Sequence, residues 1–151
     1  MRIEAPGVGD REWLRLRLCL WPEGTEAEHA VYMADAIARG HFVRLALTQS
    51  GATAIGFVEA SKRVDYVNGT SSSPVAFLEG LYVEPSSRQT GVARALVEAV
   101  EAWATKEGCT ELASDSPLEN STAHAAHRAL GFEETERVVY FRKPVRQRGP
   151  P

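Results

Sequence analysis

Val83-Glu84-Pro85-Ser86-Ser87-Arg88-Gln89-Thr90-Gly91-Val92-Ala93-Arg94-Ala95-Leu96 is the stretch that decides the fold. It follows an apolar run, residues 75–83, rich in β-branched and aromatic side chains and bounded by Pro74 and Pro85, which reads as a buried strand. Beyond the stretch, Val92, Ala95, Leu96, Ala99, Val100 and Trp103 recur on one face of an amphipathic helix. A short polar loop ending at Gly91 joins the two. A strand, a tight loop and a helix start together make an anion site. The first-turn N–H groups lack intrahelical acceptors, and the helix dipole leaves about half a positive charge there. Gly91 has no Cβ, so a phosphate can approach the main chain closely. A dinucleotide fingerprint needs more glycines and a P-loop needs Gly-Lys-Ser/Thr; neither is present.

Inside the strand, Glu79-Gly80 is the strongest anomaly in the chain. A carboxylate within a buried strand costs several kcal/mol unless it is paired or faces a cleft. The adjoining glycine points to a bulge that parts this strand from a neighbour and opens a slot. An edge position or a structural ion pair is the plainer alternative.

Elsewhere the chain reads in short elements. Arg2 to Glu4 suits a first strand, and Asp10 an N-cap for a helix reaching Leu20. Trp21-Pro22-Glu23-Gly24 breaks that helix, and Thr25 starts a second one ending near Gly40. Trp21, beside an acidic loop, suits either a cationic ligand or the closing of a helix end. Residues 42–47 and 54–60 form an antiparallel hairpin, and residues 65–74 a long loop carrying Tyr66. After the Gly91 helix come a short strand over residues 110–114 ending at Asp115, a helix over 122–130 capped by Asn120 or Ser121, and a last strand over 135–142. Residues 1–144 read as one domain and 145–151 as a disordered polar tail.

The 151 residues, 44% of them apolar, suit a single packed core. Seventeen basic against twenty acidic residues give a charge of −3, which disfavours nucleic acid and suits a cationic partner. Cys19 and Cys109 form no C-x-x-C pair and read as reduced core thiols. His124 and His127 lie three apart on one helix without a third ligand, so no metal is expected. The N-terminus lacks a signal peptide's apolar segment and no run is long enough to span a membrane, so a cytoplasmic protein is expected.

The pattern Arg88-x-x-Gly91-x-Ala93 after such a strand resembles the acetyl-CoA loop of the GNAT acetyltransferase superfamily, and the element order resembles that fold from end to end. The ending Asn120-x-x-Ala123-x-x-x-His127-x-x-x-Gly131-Phe132 is also similar, with histidine where the superfamily most often has tyrosine. More narrowly, Leu20-Trp-Pro22, Asp65-Tyr-Val-Asn-Gly69, Phe77-Leu-Glu-Gly80, Ala113-Ser-Asp115 and the stretch Leu130 to Val139 resemble the aminoglycoside 6′-N-acetyltransferases. The resemblance implies an α+β fold with a mixed, mostly antiparallel sheet, a splayed strand pair and about four helices. It implies transfer of acetyl from acetyl-CoA to an aminoglycoside, in a homodimer that contacts neither nucleic acid nor membrane. Leu81, Tyr82 and Val83 would hold the pantetheine arm; the backbone of Gln89, Thr90, Gly91, Val92, Ala93 and Arg94, with Asn120, would hold the pyrophosphate. Trp21, Tyr66, Glu79, Asp115 and Glu136 would hold the drug, with Arg88 bracing the loop.

The chemistry is consistent with those roles. A lysine-like amine, pKa about 10.4, needs about 4–5 kcal/mol to shed its proton at pH 7, and acidic neighbours raise that cost. Asp115 or Glu79, directly or through water, is expected to accept the proton, and the Val83 N–H to stabilise the oxyanion. The amine is itself the nucleophile, so no covalent acyl-enzyme is required. The rival readings are an acetyltransferase for another polyamine or peptide amine, and a non-catalytic acetyl-CoA-binding module.

Overall fold

A computed structural model describes residues 1–151 as one five-stranded sheet with four helices. The elements run β1 (Arg2–Glu4), α1 (Arg11–Leu20), α2 (Glu26–Ala38), β2 (Phe42–Leu47), β3 (Ala54–Arg63), β4 (Val75–Val83), a single 3-10 turn (Pro85–Ser87), α3 (Val92–Lys106), β5 (Leu112–Ala113) and α4 (Ser121–Ala129). Strands lie in chain order, antiparallel from β1 to β4, with β5 joined parallel to β4. Asp10 caps α1 by accepting from the Glu12 and Trp13 amides, Thr25 caps α2, and Asn120 caps α4 through Oδ1.

The sheet separates two cores. On one face α3 seats Val92, Leu96 and Val100 against Phe42, Val58, Ala60, Leu78 and Val83. On the other, α1 and α2 bring Trp13, Leu16, Met33 and Ala36 onto Val43, Leu45 and Phe57. Within β4 the register against β3 jumps: Glu59 lies opposite Gly80, but Ala60 opposite Leu78. Glu79 is therefore the extra residue of a bulge, as the Glu79-Gly80 pair suggested. The bulge restarts the alternation, so Glu79 and Gly80 both face the α1–α2 side, while Leu78 and Val83 still reach the α3 core.

The expected last strand is absent. Residues 133–151 carry no regular structure and lie exposed, with Val139, Tyr140 and Phe141 exposing 77%, 78% and 92% of their surface. A strand needs a ladder, and no main chain beyond Phe132 pairs with the sheet. No helix is long and apolar enough to cross a membrane.

Candidate active site

The site forms where β4 and β5 part. The two strands pair only at Ala76–Leu112 and Phe77–Ala113; beyond that β5 ends, while β4 runs on to Val83. Glu79 and Asp115 each stand two residues past the Phe77–Ala113 pair, beyond the last paired residues of β4 and β5. Glu79 is half-buried: its Oε1 accepts from Ser61 Oγ at 2.5 Å and Arg63 Nη2 at 2.9 Å, leaving Oε2 for a ligand. Asp115 is exposed. Main-chain alternation reinforces the opening. Glu84 N–H bonds Ile55 C=O at 2.8 Å on the β3 side, so the Val83 N–H points the other way, into the gap.

At the end of β4 the chain turns through Pro85–Ser87 and enters α3. Gln89 and Gly91 adopt left-handed backbone, φ 59° and 89°, which curls the loop before the helix. The first intrahelical bond is Ala95 N–H to Gly91 C=O at 3.0 Å, and no side chain caps the end. The amides of Val92, Ala93 and Arg94 therefore lack main-chain acceptors. A Cβ on Gly91 would meet nothing within 4 Å, so the space before these amides is open. Uncapped donors beside open space fit a pyrophosphate. Arg88 braces the loop as expected, its Nε donating to Val83 C=O at 2.9 Å, with the guanidinium 5.7 Å from the Tyr82 ring. Burial, then the neighbouring Cys19 and Glu84, push the Tyr82 phenol up.

Trp21 stands over the bulge. A Cβ at Gly80 would fall 2.4 Å from Trp21 Cη2, so only glycine lets the indole lie there. Tyr66 exposes 73% of its surface on the 65–74 loop; that loop packs Val67 against Val75 and Phe77 and is tied down by Glu111, which accepts from the Ser71 amide at 3.0 Å and from Ser72 Oγ. These bonds hold the Glu111 carboxyl below its ordinary value, the Ser72 hydroxyl contributing most. A Cβ at Gly69 would strike Thr135 Oγ1 at 2.1 Å, so the chain carrying exposed Glu136 passes over the Tyr66 loop. Leu81 and Tyr82 are half-buried on β4, whereas Gln89, Thr90, Arg94 and Asn120 are exposed.

The Ser61 and Arg63 partners of Glu79 could not be read from spacing, because they depend on the bulged register. Ser114 was missed as well: it follows β5 and lies 2.8 Å from His127 Nε2, while His127 Nδ1 sits 2.7 Å from Ala123 C=O and its ring meets Phe132 edge-on. No group of three or more His, Cys, Asp or Glu side chains is placed to hold a metal.

Residues 11–132 match the acetyltransferase (GNAT) family. The chain belongs to the GNAT family. Among its GNAT relatives, aminoglycoside N(6′)-acetyltransferase type 1 of Stenotrophomonas maltophilia is 56% identical over 133 residues, covering 88% of this chain and 86% of the relative. The crystal structure of aminoglycoside 6′-N-acetyltransferase AAC(6′)-Ih from Acinetobacter baumannii superposes with a TM-score of 0.90 at 46% identity, over 95% of this chain and 98% of that one. AAC(6′)-Iy, solved with the bisubstrate analogue CoA-S-monomethyl-acetylneamine, gives a TM-score of 0.83 at 47% identity, over 89% of this chain and 90% of that one. The GNAT assignment agrees with the mixed sheet, the splayed β4–β5 pair and the α3 loop described above.

Proposed function

We infer that the chain transfers the acetyl group of acetyl-CoA to the 6′-amino group of an aminoglycoside, by direct attack of the amine in a ternary complex. The observation that carries this reading is the pair Glu79 and Asp115, each two residues past the last β4–β5 pair, on a sheet whose strand β4 runs into an uncapped helix. A sensor of acetyl-CoA needs the helix end but not the carboxylates. The bisubstrate analogue bound by AAC(6′)-Iy supports transfer without a covalent enzyme intermediate.

Acetyl-CoA supplies the activated thioester, and the chain's own residues do the rest. Backbone at Leu81, Tyr82 and Val83 holds the pantetheine arm, and the amides from Gln89 to Arg94 hold the pyrophosphate. Asn120 has its Oδ1 engaged in the α4 cap, which leaves its amide nitrogen for phosphate. The Val83 N–H, turned into the gap, donates to the developing oxyanion. Trp21, Tyr66, Glu79, Asp115 and Glu136 hold the drug. Arg63 and Ser61 already engage Glu79, which suits it to binding an ammonium; exposed Asp115 is the base, directly or through water.

The working form is a homodimer, supported by the exposed apolar arm at residues 138–141, which the monomer leaves uncovered. Cys109 is buried as a core thiol, whereas Cys19, expected in the core, is exposed near the end of α1; both are free, which suits a reducing compartment such as the cytoplasm. The test is thiol release from acetyl-CoA with kanamycin or tobramycin, with spermidine, and with no acceptor. Fast release with the aminoglycosides alone, with NMR locating the new amide at the 6′ position, is the expected result. Equal or faster release with spermidine overturns it.

A further inference from the structure

One buried polar cluster takes no part in the chemistry above. Arg17 and Glu59 are 5% and 0% exposed, and Arg17 Nη1 donates to Glu59 Oε1, which also accepts from Trp13 Nε1 at 2.7 Å. Arg17 Nε donates to His29 Nδ1 at 3.1 Å, which leaves the His29 proton on Nε2, donated to Trp21 C=O at 3.0 Å. Glu59 Oε2 is buried without a partner. Stability does not account for this pair: apolar side chains of similar volume commonly hold a core as well as a buried ion pair does, and a half-satisfied carboxylate is an added cost.

What a guanidinium does that leucine cannot is attract aromatic faces. The Arg17 guanidinium carbon lies 4.5 Å from the Trp21 ring centroid and 4.2 Å from that of Tyr32. One cation thus joins the indole over the β4 bulge to a tyrosine of α2 that keeps 36% of its surface free. Glu59 and Glu79 both raise the Tyr32 phenol, after burial, as carboxylates close to that ring would. The counter-charge has its own purpose. An uncompensated Arg17 behind the cleft would repel the ammonium groups of the drug, and Glu59 cancels it.

We propose that Arg17, neutralised by Glu59 and steadied by His29, is a positioning residue that sets Trp21 and Tyr32 as a two-ring wall for the aminoglycoside, with Tyr32 touching the drug. The proposal rests on the reading that Trp21 and Glu79 bind the drug, and the variants separate the two claims. Steady-state kinetics with tobramycin and acetyl-CoA, with thermal melting alongside, are measured on the full chain. Tyr32→Ala and the paired replacement Arg17→Met/Glu59→Leu should each raise the tobramycin KM about tenfold, the size expected for one aromatic contact with a cation. The acetyl-CoA KM and kcat should stay close to the parent values, and Tyr32→Phe should behave like the parent. Adding Tyr32→Ala to the paired replacement should change little further, since the ring has already lost its anchor. A normal tobramycin KM in Tyr32→Ala, with a raised one in Trp21→Ala, overturns the inference and leaves the cleft reading intact. A normal KM in Trp21→Ala as well sinks the cleft reading first. Should the paired replacement fail to fold, Tyr32→Ala, made at a partly exposed position of α2, still decides.

Discussion

Gly80→Ala should move Trp21 and little else. The added methyl would sit 2.4 Å from Trp21 Cη2, 2.9 Å from Cζ2 and 3.4 Å from Leu20 Cδ2. Ordinary carbon contacts lie at about 3.5–4.0 Å, so the indole edge must retreat by about 1 Å or more. It has little freedom to do so. Its face rests on Arg17, its edge meets Phe57 with centroids 6.1 Å apart, and its carbonyl is held by His29. Gly80 is not in the left-handed region, so alanine suits the backbone there and regains about 0.5–1 kcal/mol of chain entropy. Overpacking costs about 1–3 kcal/mol, which leaves a net loss of roughly 0–2.5 kcal/mol in stability. The functional loss is larger in proportion: giving up one aromatic contact with a cation is about 1–2 kcal/mol, or about tenfold in the aminoglycoside KM. The assay is thiol release over a kanamycin titration at saturating acetyl-CoA, paired with an acetyl-CoA titration at saturating drug. An unchanged kanamycin KM in a variant that melts normally would refute the placement of Trp21 at the drug.

Other outcomes follow from the same geometry. Glu79→Gln and Asp115→Asn should lower turnover on an aminoglycoside, by about 100-fold or more where the proton acceptor is lost, with acetyl-CoA binding nearly intact by calorimetry; unchanged turnover in both removes the carboxylate mechanism. Gly91→Val puts a branched side chain at φ 89° and into the open space before the α3 amides, so cofactor affinity should fall at least tenfold while the drug KM holds; normal affinity counts against the loop assignment. Glu111→Gln loosens the Tyr66 loop at neutral pH. The folded Glu111 carboxyl titrates below its unfolded value of about 4.3, so its contribution is complete above that value and lost as pH falls through the folded one. Parent and Glu111→Gln should therefore differ in Ser71 amide exchange at pH 7 and converge in acid; a difference that persists in acid contradicts the assignment. Light scattering should find the full chain dimeric and the chain truncated after Phe132 monomeric; a dimer that survives truncation excludes the arm as the contact.

The local geometry of the candidate site, the β4 bulge and the turn into α3, was legible in the sequence because it depends on local chemistry. A carboxylate beside a glycine in an apolar strand pointed to a bulge or an ion pair, and the structure has both; Arg88-x-x-Gly91 between a strand and a helix pointed to a tight loop with free first-turn amides. Neither needs knowledge of what packs from afar. Residues 135–142 show the limit of that reasoning: their apolar content reads as a strand, but a strand exists only where a second backbone offers a ladder.

What the sequence determined alone was therefore the order of elements as far as α4, the tight turn into α3 and the oddity at Glu79. Tertiary structure decided which carboxylate is free and which is engaged, because Ser61 and Arg63 reach Glu79 only through the bulged register of β3 on β4. It also brought Arg17 to Glu59 across 42 residues and laid Trp21 on Gly80. Such contacts are set by the packing of whole helices on a sheet, and periodicity along one segment carries no trace of the segment it will meet.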